Sequence, residues 1–338
     1  MIRRILICSA VTALALFSQE PPRTPWGDPD LQGMWPGNMG VPLQRPESQG
    51  TRTTLTDAEF AQKQAQAERQ AAADERSTAT SDSVGIGPPS YWVERGKPTR
   101  QTSLIIDPPN GRLPPLTPEE QELRKTARGG KGFPGAWRGE ANSYEDLNIY
   151  YRCITRGVLG SIIPVIYNNG NEILQAPGLV IIRNEMIHET RVIPLDGRPH
   201  LNSSIREYMG DSRGHFEGNT LVIETTNFTD KDAIGSNGAG YPGDPGHHSA
   251  DMKLTERLTR VGADTLNYEA TIDDPKTWTR PWTIRIVLKR DEHYKLLEYA
   301  CHEGNIAMSD ILSGARATEA KPSKDDAKPS KDDAKPAK

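Results

Sequence analysis

Between about Glu172 and Glu303 the chain runs through strand-like segments that carry ionisable residues among apolar ones at alternate positions. Within Thr220–Phe228, one alternate set reads Val222, Glu224, Thr226, Phe228. Within Lys253–Val261, one set reads Leu254, Glu256, Leu258, Arg260. His188 stands between Met186 and Val192, and Glu298 and His302 alternate with Leu296 and Ala300. Side chains alternate faces along a strand, so these groups are expected to point where the apolar residues point. An unpaired buried charge is costly, and such a group pairs or shifts its pKa. A sheet interior lined in this way predicts a partly polar cavity rather than a dry core.

The segments follow one another closely. Strands are predicted at Ile162–Tyr167, Ile173–Gln175, Leu179–Asn184, Met186–Pro194, Ile205–Met209, His215–Glu217, Thr220–Phe228, Met252–Val261, Thr265–Ile272, Thr283–Arg290 and Lys295–Cys301. Gly218-Asn219 is a two-residue hairpin signal, and Gly262-Ala-Asp264 is a short loop. Thr265–Ile272 alternates cleanly, with Leu266, Tyr268, Ala270 and Ile272 on one side. Many antiparallel strands joined by short turns form a meander, which closes or packs to remove its edges. The expected fold is mainly β: an antiparallel up-and-down β-barrel of the lipocalin or calycin kind, with an N-terminal arm and two or three short peripheral helices.

Thr56-Asp-Ala-Glu59 and Thr117-Pro-Glu-Glu120 fit capping boxes opening two helices, and Glu145–Arg156 is a candidate third. Before them, Pro21–Thr54 reads as an extended arm docked by Trp26, Leu31 and Trp35. Only 35% of the 338 residues are hydrophobic, with 27 prolines and 30 glycines, so much of the chain must be irregular. The net charge of −4 gives no footprint of a nucleic-acid partner.

At the N-terminus, Arg3 and Arg4 precede the short apolar run Ile5–Phe17, the pattern of a secretory signal peptide rather than a transmembrane span. The expected organisation is a signal peptide at 1–19, an arm and surface helix at 20–100, a barrel domain at 101–316 and a disordered Lys/Asp/Pro repeat tail at 317–338. The expected location is the periplasm or the exterior, with no transmembrane span after signal removal. Cys8 falls in the signal, leaving Cys153 and Cys301. In an oxidising compartment such a pair favours a disulfide, worth about 5 kcal/mol in the chain-entropy model. The rival reading is a catalytic thiol beside His302.

Four segments carry a resemblance: Trp26-Gly-Asp-Pro-Asp-Leu-Gln-Gly-Met-Trp35, Pro194-Leu-Asp-Gly-Arg-Pro-His200, Asp211-Ser-Arg-Gly-His-Phe-Glu-Gly-Asn-Thr-Leu221 and Glu298-Tyr-Ala-Cys-His-Glu-Gly-Asn305. Together they resemble a large set of secreted, functionally uncharacterised proteins of environmental bacteria. That pattern has Trp where Phe216 stands and Asp where Asn219 stands. The resemblance brings no activity and no catalytic residues with it.

The inward set His188, Glu224, Glu256 and His302 carries the candidate chemistry. Carboxylates beside imidazoles in a semi-dry cavity suit acid–base work, orient a polar ligand, or hold strands together as a structural network. Glu189 and Arg191 read as a solvated ladder on the other face of their segment, and Arg191 is also a ligand-binding candidate. Arg213, His215, Glu303 and Asn305 lie near strand ends, where a barrel mouth collects ligand-binding groups. Trp278 and Trp282 either stack on a ligand or plug one end.

Other motifs are weaker. Gly210-Asp-Ser-Arg-Gly214 matches a nucleophile pattern around Ser212, but in a strand context instead of the required strand-to-helix turn. His247-His248 near Asp244 and Asp251 lacks the spacing of a dedicated metal site, and no metal or cofactor is expected. Arg128-Gly-Gly-Lys-Gly132 lacks P-loop spacing and reads as a helix-ending loop. Asp230–Asp251 reads as a lid, a binding loop or an insertion. The favoured function is binding of a small organic molecule in the cavity. The alternative is an enzyme (a lyase, isomerase or hydrolase) acting there on a carbohydrate or aromatic compound. An envelope interaction protein using the arm and tail is the third possibility. Neither ligand identity nor oligomeric state is legible.

Overall fold

The computed structural model describes residues 21–78, 92–128, 141–147, 149–231, 233–234 and 245–320. The expected signal peptide, the glycine-rich segment after Arg128, Asp244 and most of the tail lie outside these residues. In chain order the elements are β1 (Gly33–Met34), α1 (Asp57–Thr78), β2 (Ile105–Asp107), α2 (Pro118–Arg128), α3 (Gly157–Ile162), β3 (Asn171–Ala176), β4 (Leu179–Asn184) and β5 (Thr190–Pro194). They continue with β6 (Asp211–Glu217), β7 (Thr220–Thr226), β8 (Ala233–Ile234), β9 (Gly246–His247), β10 (Lys253–Gly262), β11 (Thr265–Asp273), β12 (Trp282–Lys289) and α4 (Ala307–Glu319).

The chain is mainly β and antiparallel, but its sheets are not closed into the expected barrel. One sheet has the order β1-β3-β4-β5 and the other the order β2-β12-β11-β10-β7-β6, with β8 and β9 forming a separate short pair. The meander breaks between β5 and β6, which run side by side without a ladder. Residues 195–210 connect them without a strand, so predicted strand Ile205–Met209 does not form.

The inner faces of both sheets share one core. Leu266, Tyr268, Ala270 and Ile272 of β11 are all fully buried, as their alternation predicts, and meet Ile173, Val180, Ile182 and Ile193 of the smaller sheet. On β12, Trp282, Ile284, Ile286 and Leu288 point inward. Leu31 and Trp35 of the arm are buried too, whereas Trp26 stays exposed and bonds Asp28. Trp35 donates to the Leu31 carbonyl, and the Arg260 guanidinium lies 5.8 Å from its ring centre.

The capping box at Thr56 forms in full, with Glu59 N–H donating to the threonine hydroxyl and the Glu59 carboxylate accepting from Thr56 N–H. At Thr117 only half forms: Glu120 N–H donates to the hydroxyl, and Thr117 N–H donates to the Thr277 carbonyl oxygen. The predicted third helix does not form. A single 3-10 turn at Tyr144–Asp146 is capped by Ser143, and Cys153 adopts a left-handed backbone (φ 56°). The short α3 follows and takes Ile162, so the predicted strand Ile162–Tyr167 is lost and Pro164 ends the helix region. Lys295–Cys301 is irregular rather than a strand. The last helix, α4, was not predicted and runs through 317–319, assigned above to the tail.

Cys153 and Cys301 are joined as a disulfide across a sequence separation of 148, with Cα atoms 5.7 Å apart. This removes the catalytic-thiol alternative. The bond fastens the segment before α4 to the body, where Ala141, Leu147 and Ala315 form a small second core.

Candidate functional site

The predicted inward set is not assembled in one place. Only Glu256 of the four lies in the interior, and it is fully buried on β10. Glu224 is exposed, because Leu221, Ile223 and Thr225 form the inner face of β7. Phe228 misled the alternation: Asn227 adopts a left-handed backbone (φ 60°) and resets the facing before Phe228 enters the core. His188 is exposed for a similar reason. Ile187 and His188 both have positive φ in the 3-10 turn Met186–His188, so β5 starts with the opposite phase from the one expected. Val192 therefore faces out at 55% exposure, and Arg191, expected in a solvated ladder, faces in. His302 and Glu298 are exposed because their segment forms no strand.

Arg191 and Glu256 meet across the two sheets in a bidentate pair, Nη1–Oε2 2.6 Å and Nη2–Oε1 2.7 Å. The Tyr268 hydroxyl donates to Oε1 at 2.9 Å. Burial and the Glu256 carboxylate hold this phenol well above its ordinary pKa, so it stays a donor. All three side chains are enclosed by apolar core, which makes this a structural network.

The ligand-binding candidates are scattered. Arg213 is half-buried against Asp211, His215 is exposed and pairs with Glu217 at 3.3 Å, and Glu303 is exposed. Asn305 is exposed and its Nδ2 donates to Cys153 Sγ at 3.1 Å. Trp278 and Trp282 pack edge to face within the core, centroids 5.4 Å apart, with no ring face open to a ligand. Their indole N–H groups have no hydrogen-bond acceptor among the described residues. Ser212 is buried and exchanges a hydrogen bond with Thr225, which leaves it no role as a nucleophile.

Two histidines outside the predicted set occupy more constrained positions. His200 places Nδ1 2.9 Å from Asp211 Oδ2. Asp211 is buried, and it also accepts from Leu201 N–H at 2.9 Å and pairs with Arg213 at 2.6 Å. Gly210 is required beside it: its φ is +63° and a Cβ would sit 2.5 Å from the Thr226 carbonyl oxygen. His200 is itself partly exposed, so an oriented imidazole faces solvent.

His248 lines a shallow recess of about 10 Å³, room for about one water molecule, between α3, β8 and the start of β10. Val158, Leu159, Phe228, Ile234, Met252 and Leu254 supply apolar walls. The imidazole is only 2% exposed and packs edge to face on Phe228, centroids 5.5 Å apart. Its Nδ1 lies 3.0 Å from the Ser249 carbonyl oxygen. A carbonyl oxygen only accepts, so Nδ1 carries the proton and Nε2 presents a lone pair. Burial pushes His248 down to about 4, so the ring is neutral near pH 7.

The neighbouring His247 faces the other way, toward Glu120 at 3.3 Å. Burial would raise Glu120, but His247 and Arg124 outweigh it and hold the carboxyl below its ordinary range. The two adjacent histidines thus serve different partners. Among the described residues no cluster of three or more His, Cys, Asp or Glu side chains could hold a metal ion. Nothing in the local sequence pattern marks either His247 or His248 for burial. The signal for His200 was present in the motifs ending at His200 and starting at Asp211, but their pairing is tertiary.

No family model matches this chain, and comparison with curated proteins gives no match. Among the described residues no helix is long and apolar enough to cross a membrane.

Glu256→Ala leaves Arg191 buried without its counter-charge and is expected to cost about 3–5 kcal/mol in urea unfolding. Replacing Arg191 by Met, Glu256 by Leu and Tyr268 by Phe together restores most of that loss. A Glu256→Ala protein within about 1 kcal/mol of wild type would contradict the structural assignment.

His248 has a pH signature. Its folded pKa is depressed, so below about 6.5 the unfolded chain takes up a proton that the folded chain refuses. Stability falls as pH drops from about 6.5 to about 4, by roughly 3 kcal/mol from this group. Comparing urea unfolding at both pH values for wild type and His248→Leu isolates this contribution. Asp230, Asp274 and His247 lie near enough to act on His248 and are unchanged in the variant. Equal acid sensitivity in the two proteins would exclude a buried neutral His248.

Proposed function

We propose that this chain is an exported protein that binds a small organic molecule across the mouth of the shallow recess around His248. One observation carries the reading: a shallow recess walled by apolar side chains, with room inside for about one water molecule, holds one imidazole whose Nε2 takes no hydrogen bond from any described residue. Binding sites are concave, mostly apolar and oriented by a few polar groups. Export is supported by the Cys153–Cys301 disulfide, since such bonds persist in oxidising compartments, and by the signal-like run Ile5–Phe17. Wild-type protein purified natively and extracted for mass spectrometry is expected to release a small compound that His248→Leu protein does not retain. A wild-type protein that releases no compound and shows no thermal stabilisation by any of a panel of single-ring molecules would overturn the reading.

A second reading, acid–base catalysis, is favoured by His200. A buried carboxylate holding Nδ1 leaves the opposite ring nitrogen free to exchange protons with a bound molecule. If chemistry takes place there, the released compound incubated in D₂O with wild-type protein comes back altered in mass or deuterium content. The same compound comes back unchanged from His200→Gln. Recovery unchanged from both proteins sinks this reading.

A further inference from the structure

We propose that Glu94, Tyr294 and Glu185 share one proton more than the phenol's own, and that this proton latches the segment 291–301 onto the body until rising pH removes it.

Proton counting carries the inference. The Tyr294 hydroxyl lies 2.6 Å from Glu185 Oε2 and 2.9 Å from Glu94 Oε1. A phenol has one proton and a carboxylate only accepts, so two such contacts need a second proton. Burial and the two carboxylates hold the phenol well above its ordinary pKa, so its own proton stays in place. The 2.6 Å contact has the length of an O–H···O⁻ bond. Tyr294 therefore donates to Glu185 and accepts from Glu94, and the extra proton belongs to the two carboxyl groups as a pair.

The other contacts supply no counter-charge. Glu185 is 3% exposed and accepts from Gly170 N–H, Leu297 N–H and Asn168 Nδ2. Glu94 is partly exposed and accepts from Asn168 N–H, Asn169 N–H and Asn169 Nδ2. All six donors are neutral amides. The basic neighbours are engaged elsewhere or face water: Arg95 pairs with Asp74, Arg183 pairs with Glu172, and His188 and Lys295 are exposed. Two ionised carboxylates on one phenol repel each other, and a single proton removes the repulsion.

The trio joins three separate parts of the chain. Glu94 stands ahead of β2, Glu185 directly follows β4 and Tyr294 lies beyond β12. Gly170 makes the approach possible, since a Cβ there would sit 2.6 Å from the Tyr294 ring and 2.8 Å from Glu185 Oε2. Segment 291–301 forms no strand. Tyr294 and Leu297 N–H both anchor it on Glu185, ahead of the disulfide at Cys301. The folded pair keeps a proton that an ordinary glutamate in the unfolded chain releases above about pH 4.3. The stabilisation is therefore full below that pH and is lost as pH rises through the folded pair's own value.

Infrared spectroscopy of the full-length protein in D₂O at neutral pH reads the proton directly. Wild type is expected to show the C=O band of a protonated carboxyl, and Glu94→Gln and Tyr294→Phe are expected to lack it. A wild-type spectrum without that band overturns the proposal whether or not either variant folds, and so does a band that persists in the variants. Urea unfolding tests the latch. Between about pH 5 and about pH 9 the advantage of wild type over Tyr294→Phe should shrink about 10-fold in the unfolding constant, His248 being common to both proteins. Equal pH dependence in the two proteins overturns the latch. Stabilisation by added calcium in a protein without the acid band would put a cation between the carboxylates and overturn the proton assignment.

Discussion

The face-to-face packing of the two sheets turns on one polar contact inside an otherwise apolar core. Arg191 on β5 and Glu256 on β10 come from different sheets and meet in two parallel hydrogen bonds, with Tyr268 completing the carboxylate. Such a pair adds little net stability over a well-packed apolar replacement, but it tolerates no displacement. A slip of one residue in either strand would bury one charge alone and expel the other. The pair therefore fixes the register of β5 and β10, and the ladders built on each strand carry that register through both sheets. Arg260 plays a smaller part on the same strand. It donates to the Asp30 carbonyl oxygen and lies over Trp35, which fixes where the arm crosses the core.

The sequence pattern revealed much of the sheet and little of the site. The strands β3, β4, β7, β10, β11 and β12 were legible as strands, and in β10 and β11, which keep one phase through their core, alternation also gave the inner face. Leu254, Glu256, Leu258 and Arg260 do point inward as a set. Glu224 and His188 failed where the backbone enters the left-handed region at non-glycine residues, Asn227 in one case and Ile187–His188 in the other. Ile187 is β-branched, a poor candidate for such a conformation, so no local signal announces it. The closed barrel failed for a different reason. Strand count and turn chemistry do not reveal whether the last strand of one sheet pairs with the first of the next. Here the connection 195–210 carries His200 toward Asp211, and β5 and β6 form no ladder.

Both constrained histidines stand where the regular structure ends. His248 follows β9 directly and lies against Phe228, just beyond β7; His200 lies in the connection into β6. The same connection is tied to the end of β7, since Asn227 donates to the Leu201 and Asn202 carbonyl oxygens and Arg206 donates to those of Phe228 and Ala250. The strands supply a rigid frame, and the irregular segments at its margin supply the groups free to act. That arrangement explains why alternation, which reads strands, gave no signal for either histidine.

The disulfide has a topological consequence. It closes residues 153–301 into a covalent ring that contains every strand from β3 to β12. β1 and β2 lie outside the ring, and each is the outermost strand of its sheet. The remaining two outer strands, β5 and β6, lie side by side. The segment before Cys153 thus supplies a pair of edge guards from outside a closed loop. It can detach without breaking the ring, and its release would bare the hydrogen-bonding margins of β3 and β12 to other chains.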